Sequence, residues 1–253
     1  FVGAAWATLI TRFFSFAVIM YALYYQYHVI CFEKKTLSQF SASVKRIMHV
    51  GIPATGTNMI IPIVAAIVIS IIARYGTDAV AATNVATTIE SLSLVLFFSL
   101  SSVVGPFIGQ NLGAGNFDRI EECINKAMLF CLAWGGFMAI LLALLAPFLA
   151  SLFSDDPAIN ALTVSYLYVV PLSYGLYGLV MSVNAMFNSI GNPMPGVAIS
   201  CLRVFFLQLP LVYVASQLYD LETAFMVISA SNMIAGFVGY IWIRRKITAL
   251  KAA

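Results

Sequence analysis

Seven stretches of this chain, roughly residues 4–27, 48–73, 79–107, 122–153, 158–188, 195–217 and 222–243, carry almost nothing but apolar side chains. A helix crosses a hydrocarbon core about 30 Å thick with about 20 such residues. No water reaches the backbone at that depth, so a spanning segment must satisfy its own hydrogen bonds, as a helix does. Only 9% of the residues are charged and 62% are hydrophobic, whereas a soluble domain carries about 25% charged residues. So few charges cannot cover a water-exposed surface. The fold class is therefore an all-α polytopic membrane protein.

The breaks between the stretches hold turn chemistry: "RYGTD" at 74–78, "GPFIGQNLGAGNFDR" at 105–119, "SDDP" at 154–157, "GNPMPG" at 191–196 and "LYDLE" at 218–222. Short breaks make successive helices antiparallel neighbours. The exception is residues 28–49, amphipathic and basic, which suit a helix on the membrane surface or a linker between bundles. Phe1 lies within an apolar run, so the chain reads as part of something longer. The expected organisation is one extra transmembrane helix (1–27), a basic cytoplasmic linker (28–47), a six-helix bundle (48–246) and a tail (247–253).

Lysine and arginine set the orientation, because positively charged loops stay in the cytoplasm. Lys34, Lys35, Lys45, Arg46, Arg119, Lys126, Arg244, Arg245, Lys246 and Lys251 share one side under alternating topology, against Arg74 alone on the other. The first residue is expected outside and the C-terminus in the cytoplasm of a plasma membrane. On that topology Cys31, Cys123, Cys131 and Cys201 sit in or near the cytoplasmic half and read as reduced thiols. No cysteine pair has ligand spacing and His28 and His49 stand apart, so no metal site is expected. Nor does a Ser/His/Asp set converge, so an enzyme is not expected either.

Ionisable residues inside a span usually face a bundle interior or a cavity. Arg12, Glu90 and Arg203 are the three here. Glu90 stands 12 residues in from Asp78, about 18 Å along its helix at 1.5 Å per residue. Arg203, eight residues in from Pro195, reaches a similar depth, so an ion pair between them is geometrically allowed. The alternative readings of Glu90 are such a structural lock and a direct role in binding a cation or substrate. Asn84, Thr87, Thr88 and Ser91 follow the i, i+3, i+4, i+7 pattern and line one face of Glu90's helix. With Asn58, Asn184, Asn188 and Gln208 they are candidates for a shared cavity, although each could instead join helices by a hydrogen bond. Tyr166, Tyr168, Tyr174 and Tyr177 offer ring faces to flat organic cations. Pro53, Pro62, Pro147, Pro171 and Pro210 mark expected bends.

Three motifs in order, "VGIPA" at 50–54, "YGTDAVAATNVATTIESL" leading into "GPFIGQNLGAGNFDR", and "VNAMFNSIGNPMPGVAISCLR" at 183–203, resemble the C-terminal lobe of a multidrug and toxic compound extrusion (MATE) transporter, most similar to its DinF-like branch. The resemblance implies a twelve-helix antiporter of two lobes, with residues 1–27 matching the last helix of the first. It implies export of amphipathic, often cationic, drugs or toxins in exchange for Na⁺ or H⁺, with no further cofactor. The implied partners are those compounds, the coupling cation, the bilayer and the other lobe, and not nucleic acid. A lipid-linked oligosaccharide flippase of the same superfamily is the alternative. Glu90 falls on the branch's "RIE" pattern, here "TIE" with Thr88 in place of the basic residue. Where other branches carry an acidic residue after the proline matching Pro53, this chain has Ile61.

The glycine-rich island lacks a Gly-Lys-Ser/Thr ending and follows a membrane helix, so it does not read as a phosphate loop. Gly109, Gln110, Asn111, Gly113, Asp118 and Arg119 read as a structural cytoplasmic turn. Pro106 and Gly109 are expected to end one helix, and Asp118 to cap the next in a D-x-x-E pattern with Glu121.

Overall fold

In the computed structural model, which describes residues 2–27 and 36–252, every regular element is helical. Six helical segments are long and apolar enough to span a membrane, and a shorter apolar helix covers Pro62–Tyr75. The chain forms two units, one ending at Arg46 and the other beginning at Ile47. In the first, α1 (Val2–Tyr21) ends in a π-helical turn, Ala22–Gln26, and all its described side chains are exposed. Much of the 28–49 segment, His28 to Lys35, lies outside the described residues. From Leu37 on it is helical, as the start of α2 (Leu37–Ile72).

The second unit holds α3 (Thr77–Gly113), α4 (Phe117–Phe153), α5 (Pro157–Val169), α6 (Tyr174–Ser189), α7 (Met194–Cys201), α8 (Leu209–Leu218) and α9 (Leu221–Lys251). Its core centres on α6, which packs against α3, α4 and α9. Lipid is as apolar as leucine, so helices in a membrane associate by close packing across small residues. Gly135 of α4 lies directly against the backbone of Gly175, and Gly236 of α9 against that of Leu176. Tyr174, Phe187, Phe97 and Phe225 fill the remaining core with no exposed surface.

Local chemistry explains the ends. Asp156 caps α5 by accepting from the Ala158 amide at 2.8 Å, and Pro157 occupies the first helical position, where its missing N–H costs nothing. After α6, Gly191 takes φ +72°, and the Asn192 amide returns to the Phe187 carbonyl at 3.1 Å.

Two expectations for the glycine-rich island are corrected. Pro106 does not end α3, which runs on to Gly113, because membrane helices tolerate an interior proline. Asp118 does not cap α4; it lies inside the helix and accepts from Lys251 Nζ at 2.7 Å, while Asn116 flanks the helix start without a side-chain cap. The turn itself is Ala114–Asn116, with Gly115 at φ +71°. Asn111 Nδ2 donates to the Phe107 carbonyl at 2.8 Å, Gly109 lies beside Ser189, and Gln110 and Arg119 are exposed. The prolines also divide: Pro53, Pro62 and Pro147 lie inside helices, whereas Pro171 sits in a 3₁₀ turn, Val170–Ser173, that breaks the fifth span. Pro210 follows a π-helical segment, Leu202–Gln208, within the sixth span.

Candidate functional site

Glu90 opens onto a cavity of about 240 Å³ inside the second unit. One wall is apolar, made by Val64, Ala65, Val68, Ile69 and Ile72 of α2. The opposite walls carry the polar groups: Thr83, Thr87 and Glu90 from α3, Tyr166 from α5, Tyr177 from α6, Arg203 and Gln208 from the π-helical segment, and Asn232 from α9. A π-helical segment widens the helix and re-aims its side chains, and such segments recur at functional sites.

The half-buried carboxylate of Glu90 accepts from the Tyr166 hydroxyl through Oε2 at 2.6 Å, the short distance of a charge-assisted bond. The Tyr166 ring stands edge-on to Phe225, centroids 4.9 Å apart, which fixes its direction. Oε1 is not engaged by any described donor and remains free to accept. Thr83 and Thr87 return their hydroxyls to carbonyls one turn back, Ala79 and Thr83, at 2.7 and 2.9 Å.

Arg203 is held differently. Its Nη1 donates to Asn232 Oδ1 at 2.9 Å, and its guanidinium lies 4.7 Å over the Tyr177 ring. Asn232 Nδ2 donates in turn to Ser173 Oγ at 3.1 Å, and Ser173 Oγ donates to the Val170 carbonyl at 2.8 Å. This chain of bonds ties the π-helical segment to the 3₁₀ break across α9. Arg203 Nε is buried with no partner among the described residues.

The expected Glu90–Arg203 ion pair is therefore not formed: no salt bridge within 4.0 Å joins them among the described residues. They share a cavity, but Tyr166 holds the anion and Asn232 with Tyr177 holds the cation. A ring face and an amide oxygen thus hold the guanidinium in place of a carboxylate, with Nε left unbonded among the described residues.

Of the other candidates, Thr87 and Gln208 line the cavity. Asn84, Thr88 and Ser91 are exposed and are not among the described lining residues, although Thr87, also exposed, stands one turn from Asn84 and Ser91. Asn184 bonds Ser200 Oγ through Nδ2 at 3.1 Å and joins α6 to α7, and Asn188 accepts from the Gly191 amide through its carbonyl at the end of α6. The side chain of Asn58 lies outside the described residues. Sequence reasoning missed Thr83, Asn232 and Ser173. The run "ISASN" at 228–232, polar within an apolar span, is the signal that could have raised Asn232.

Residues 53–214 match the family model MatE. Among curated proteins, the chain is 30% identical over 250 residues to a protein of Shewanella oneidensis named as an FAD transporter, covering 99% of this chain and 55% of that one. It is 26% identical to YoeA of Bacillus subtilis, a probable multidrug resistance protein, covering 98% of this chain and 56% of that one. The chain thus spans about half the length of the curated relatives it matches. Among solved structures it is similar to the Vibrio cholerae MATE transporter VcmN in its bent form, with a TM-score of 0.86, 25% identity, and coverage of 99% of this chain and 57% of VcmN.

Proposed function

From the premise that the chain belongs to the MatE family of membrane transporters, we propose that it supplies the C-terminal lobe of a two-lobe secondary antiporter of the DinF-like branch. In this reading residues 1–27 are the last helix of the other lobe, 28–47 the linker and 48–246 the lobe itself. The basic ends of the spans face the cytoplasm, as the ten-to-one distribution of Lys and Arg supports. The transporter exports amphipathic, often cationic, compounds across the plasma membrane in exchange for Na⁺ or H⁺ by alternating access.

The observation that carries this reading is the Glu90 carboxylate on the wall of a half-apolar cavity, oriented by Tyr166 and with one oxygen available. A carboxylate at membrane depth attracts a cation, whether the coupling ion or the charged end of a drug. The α2 wall accepts the apolar body of the same molecule.

A second reading, in which the substrate is a flavin dinucleotide, is favoured by Arg203. Its guanidinium lines the cavity and is not neutralised by a carboxylate, so its charge is available to a phosphate there. The Shewanella relative named as an FAD transporter supports this substrate class. Arg203 is the one cationic side chain among the described lining residues, which gives less support to a flippase holding pyrophosphate.

The test is flux in proteoliposomes of the full-length protein under an imposed Na⁺ or H⁺ gradient. A planar cationic dye and FAD serve as separate probes. Gradient-driven flux of either is expected, and no flux of either under both gradients would sink the antiporter reading. Arg203→Gln separates the two readings. It is expected to weaken FAD uptake by roughly ten- to a hundredfold, the cost of one charge-assisted contact, and to leave the dye nearly unaffected.

A further inference from the structure

The cytoplasmic end of α9 is crowded with cations, and they are not equivalent. Arg244 Nη1 donates to the Tyr240 hydroxyl at 3.2 Å and its guanidinium lies 5.7 Å over the same ring. Lys251 Nζ reaches Asp118 at 2.7 Å and Glu121 at 3.6 Å. Arg245 and Lys246 make no ion pair or hydrogen bond with any described residue. Both border a groove of about 490 Å³ whose other described walls are Val238, Ile241 and Trp242.

The helical register makes this groove amphipathic along the membrane normal. Val238, Ile241, Trp242, Arg245 and Lys246 are spaced i, i+3, i+4, i+7, i+8 and so share one face of α9. The apolar pair lies a turn deeper toward the hydrocarbon, and the two cations lie where the span ends. Between them stands Trp242, 40% exposed, its ring steadied by Phe187 with centroids 6.2 Å apart. Tryptophan prefers the depth of lipid headgroups, where the ring is apolar on one side and its N–H meets polar groups on the other.

We propose that this groove binds one anionic phospholipid. The phosphate sits between Arg245 and Lys246, and the Trp242 indole N–H donates to a headgroup or ester oxygen. The first carbons of an acyl chain run over Ile241 and Val238. Charge complementarity selects this occupant: two unpaired cations above an apolar strip match a negative headgroup above an acyl chain. A zwitterionic lipid carries its own ammonium and gains less from them. Naming the leaflet as cytoplasmic rests on the orientation proposed above, whereas binding itself does not depend on it.

The experiment is native mass spectrometry of the full-length protein in detergent, titrated with phosphatidylglycerol and, separately, phosphatidylcholine. One bound phosphatidylglycerol is expected to persist at activation energies that strip phosphatidylcholine. The double variant Arg245→Gln/Lys246→Gln is expected to weaken phosphatidylglycerol binding by roughly thirtyfold at low salt. The control Lys126→Gln/Arg244→Gln removes the same charge from the same end of the bundle and is expected to keep the lipid. Equal loss in both doubles would mean diffuse attraction rather than a site and would overturn the proposal, as would equal retention of the two lipids by the unmodified protein. Cysteine labelling of the α9 end from the two sides of the membrane reports the orientation separately. An external α9 end would correct the leaflet and leave the binding result standing.

Discussion

Glu90→Gln is expected to cut gradient-driven transport by roughly ten- to a hundredfold while leaving the protein folded and expressed at its usual level. Glutamine keeps an oxygen to accept from the Tyr166 hydroxyl, so the packing of α3 on α5 survives. What disappears is the negative charge. Losing one charge-assisted contact costs about 1.5–3 kcal/mol, roughly ten- to a hundredfold in affinity for the cation it holds. If instead Glu90 were only a lock between helices, the amide would serve as well and transport would continue. Dye efflux and a thermal unfolding curve on the same preparation distinguish the two outcomes. Unchanged efflux with an unchanged unfolding temperature removes Glu90 from the mechanism.

The largest effect on stability is expected at Gly135. A Cβ there would fall inside the van der Waals radii of the Gly175 N and Cα atoms, and backbone cannot rotate aside as a side chain can. Overpacking costs 1–3 kcal/mol where side chains can adjust, so Gly135→Ala should lose about 3 kcal/mol or more. Gly136 supplies the internal control. A Cβ added there meets nothing within 4 Å, so Gly136→Ala should be neutral, or slightly stabilising through the better helix propensity of alanine. Unfolding in detergent, followed by fluorescence-detected size exclusion after heating, compares the pair directly. Equal melting of the two variants would mean that α4 and α6 do not cross at Gly135.

The helices were legible because one strong force writes them. A span must be apolar for about 20 residues, and its ends must carry polar turn residues, so counting runs locates the elements. Glu90 stood out for a related reason: a carboxylate in oil is costly, and its presence needs a compensating role. Which side chain meets it was not legible. Depth along a helix follows from the rise per residue, but the rotation of one helix against another depends on packing between residues distant in sequence. That is why Arg203, at a suitable depth, pairs with Asn232 and Tyr177, and why Tyr166 takes the carboxylate.

The polar stripe on α3 shows the same limit more finely. Periodicity put Asn84, Thr87, Thr88 and Ser91 on one face, and only Thr87 of these reaches the cavity. The cavity face is Thr83, Thr87 and Glu90, with the i, i+4, i+7 spacing that a short rotation of the same helix produces. The π-helical segment at Leu202–Gln208 left no sequence signature beyond Pro210 just after it. Its wider turn re-aims Arg203 and Gln208, which no regular 3.6-residue projection would place correctly. Pro106 misled in the opposite sense, because the rule that proline ends helices comes from water and weakens in a membrane.

We propose that a transported molecule rests in the cavity between Thr87, Glu90 and the α2 wall. Substrate protection of a cysteine at Thr87 tests it most directly, in the full-length protein with its native cysteines replaced by alanine. A small thiol reagent should label Thr87→Cys, and a saturating transported substrate should slow that labelling at least about tenfold, as expected for a site occupied nearly all the time. Ser91→Cys, exposed one turn along the same helix and outside the cavity lining, should label at the same rate with or without substrate. Labelling of Thr87→Cys that no transported compound slows would contradict the account, and would place the substrate elsewhere in the protein.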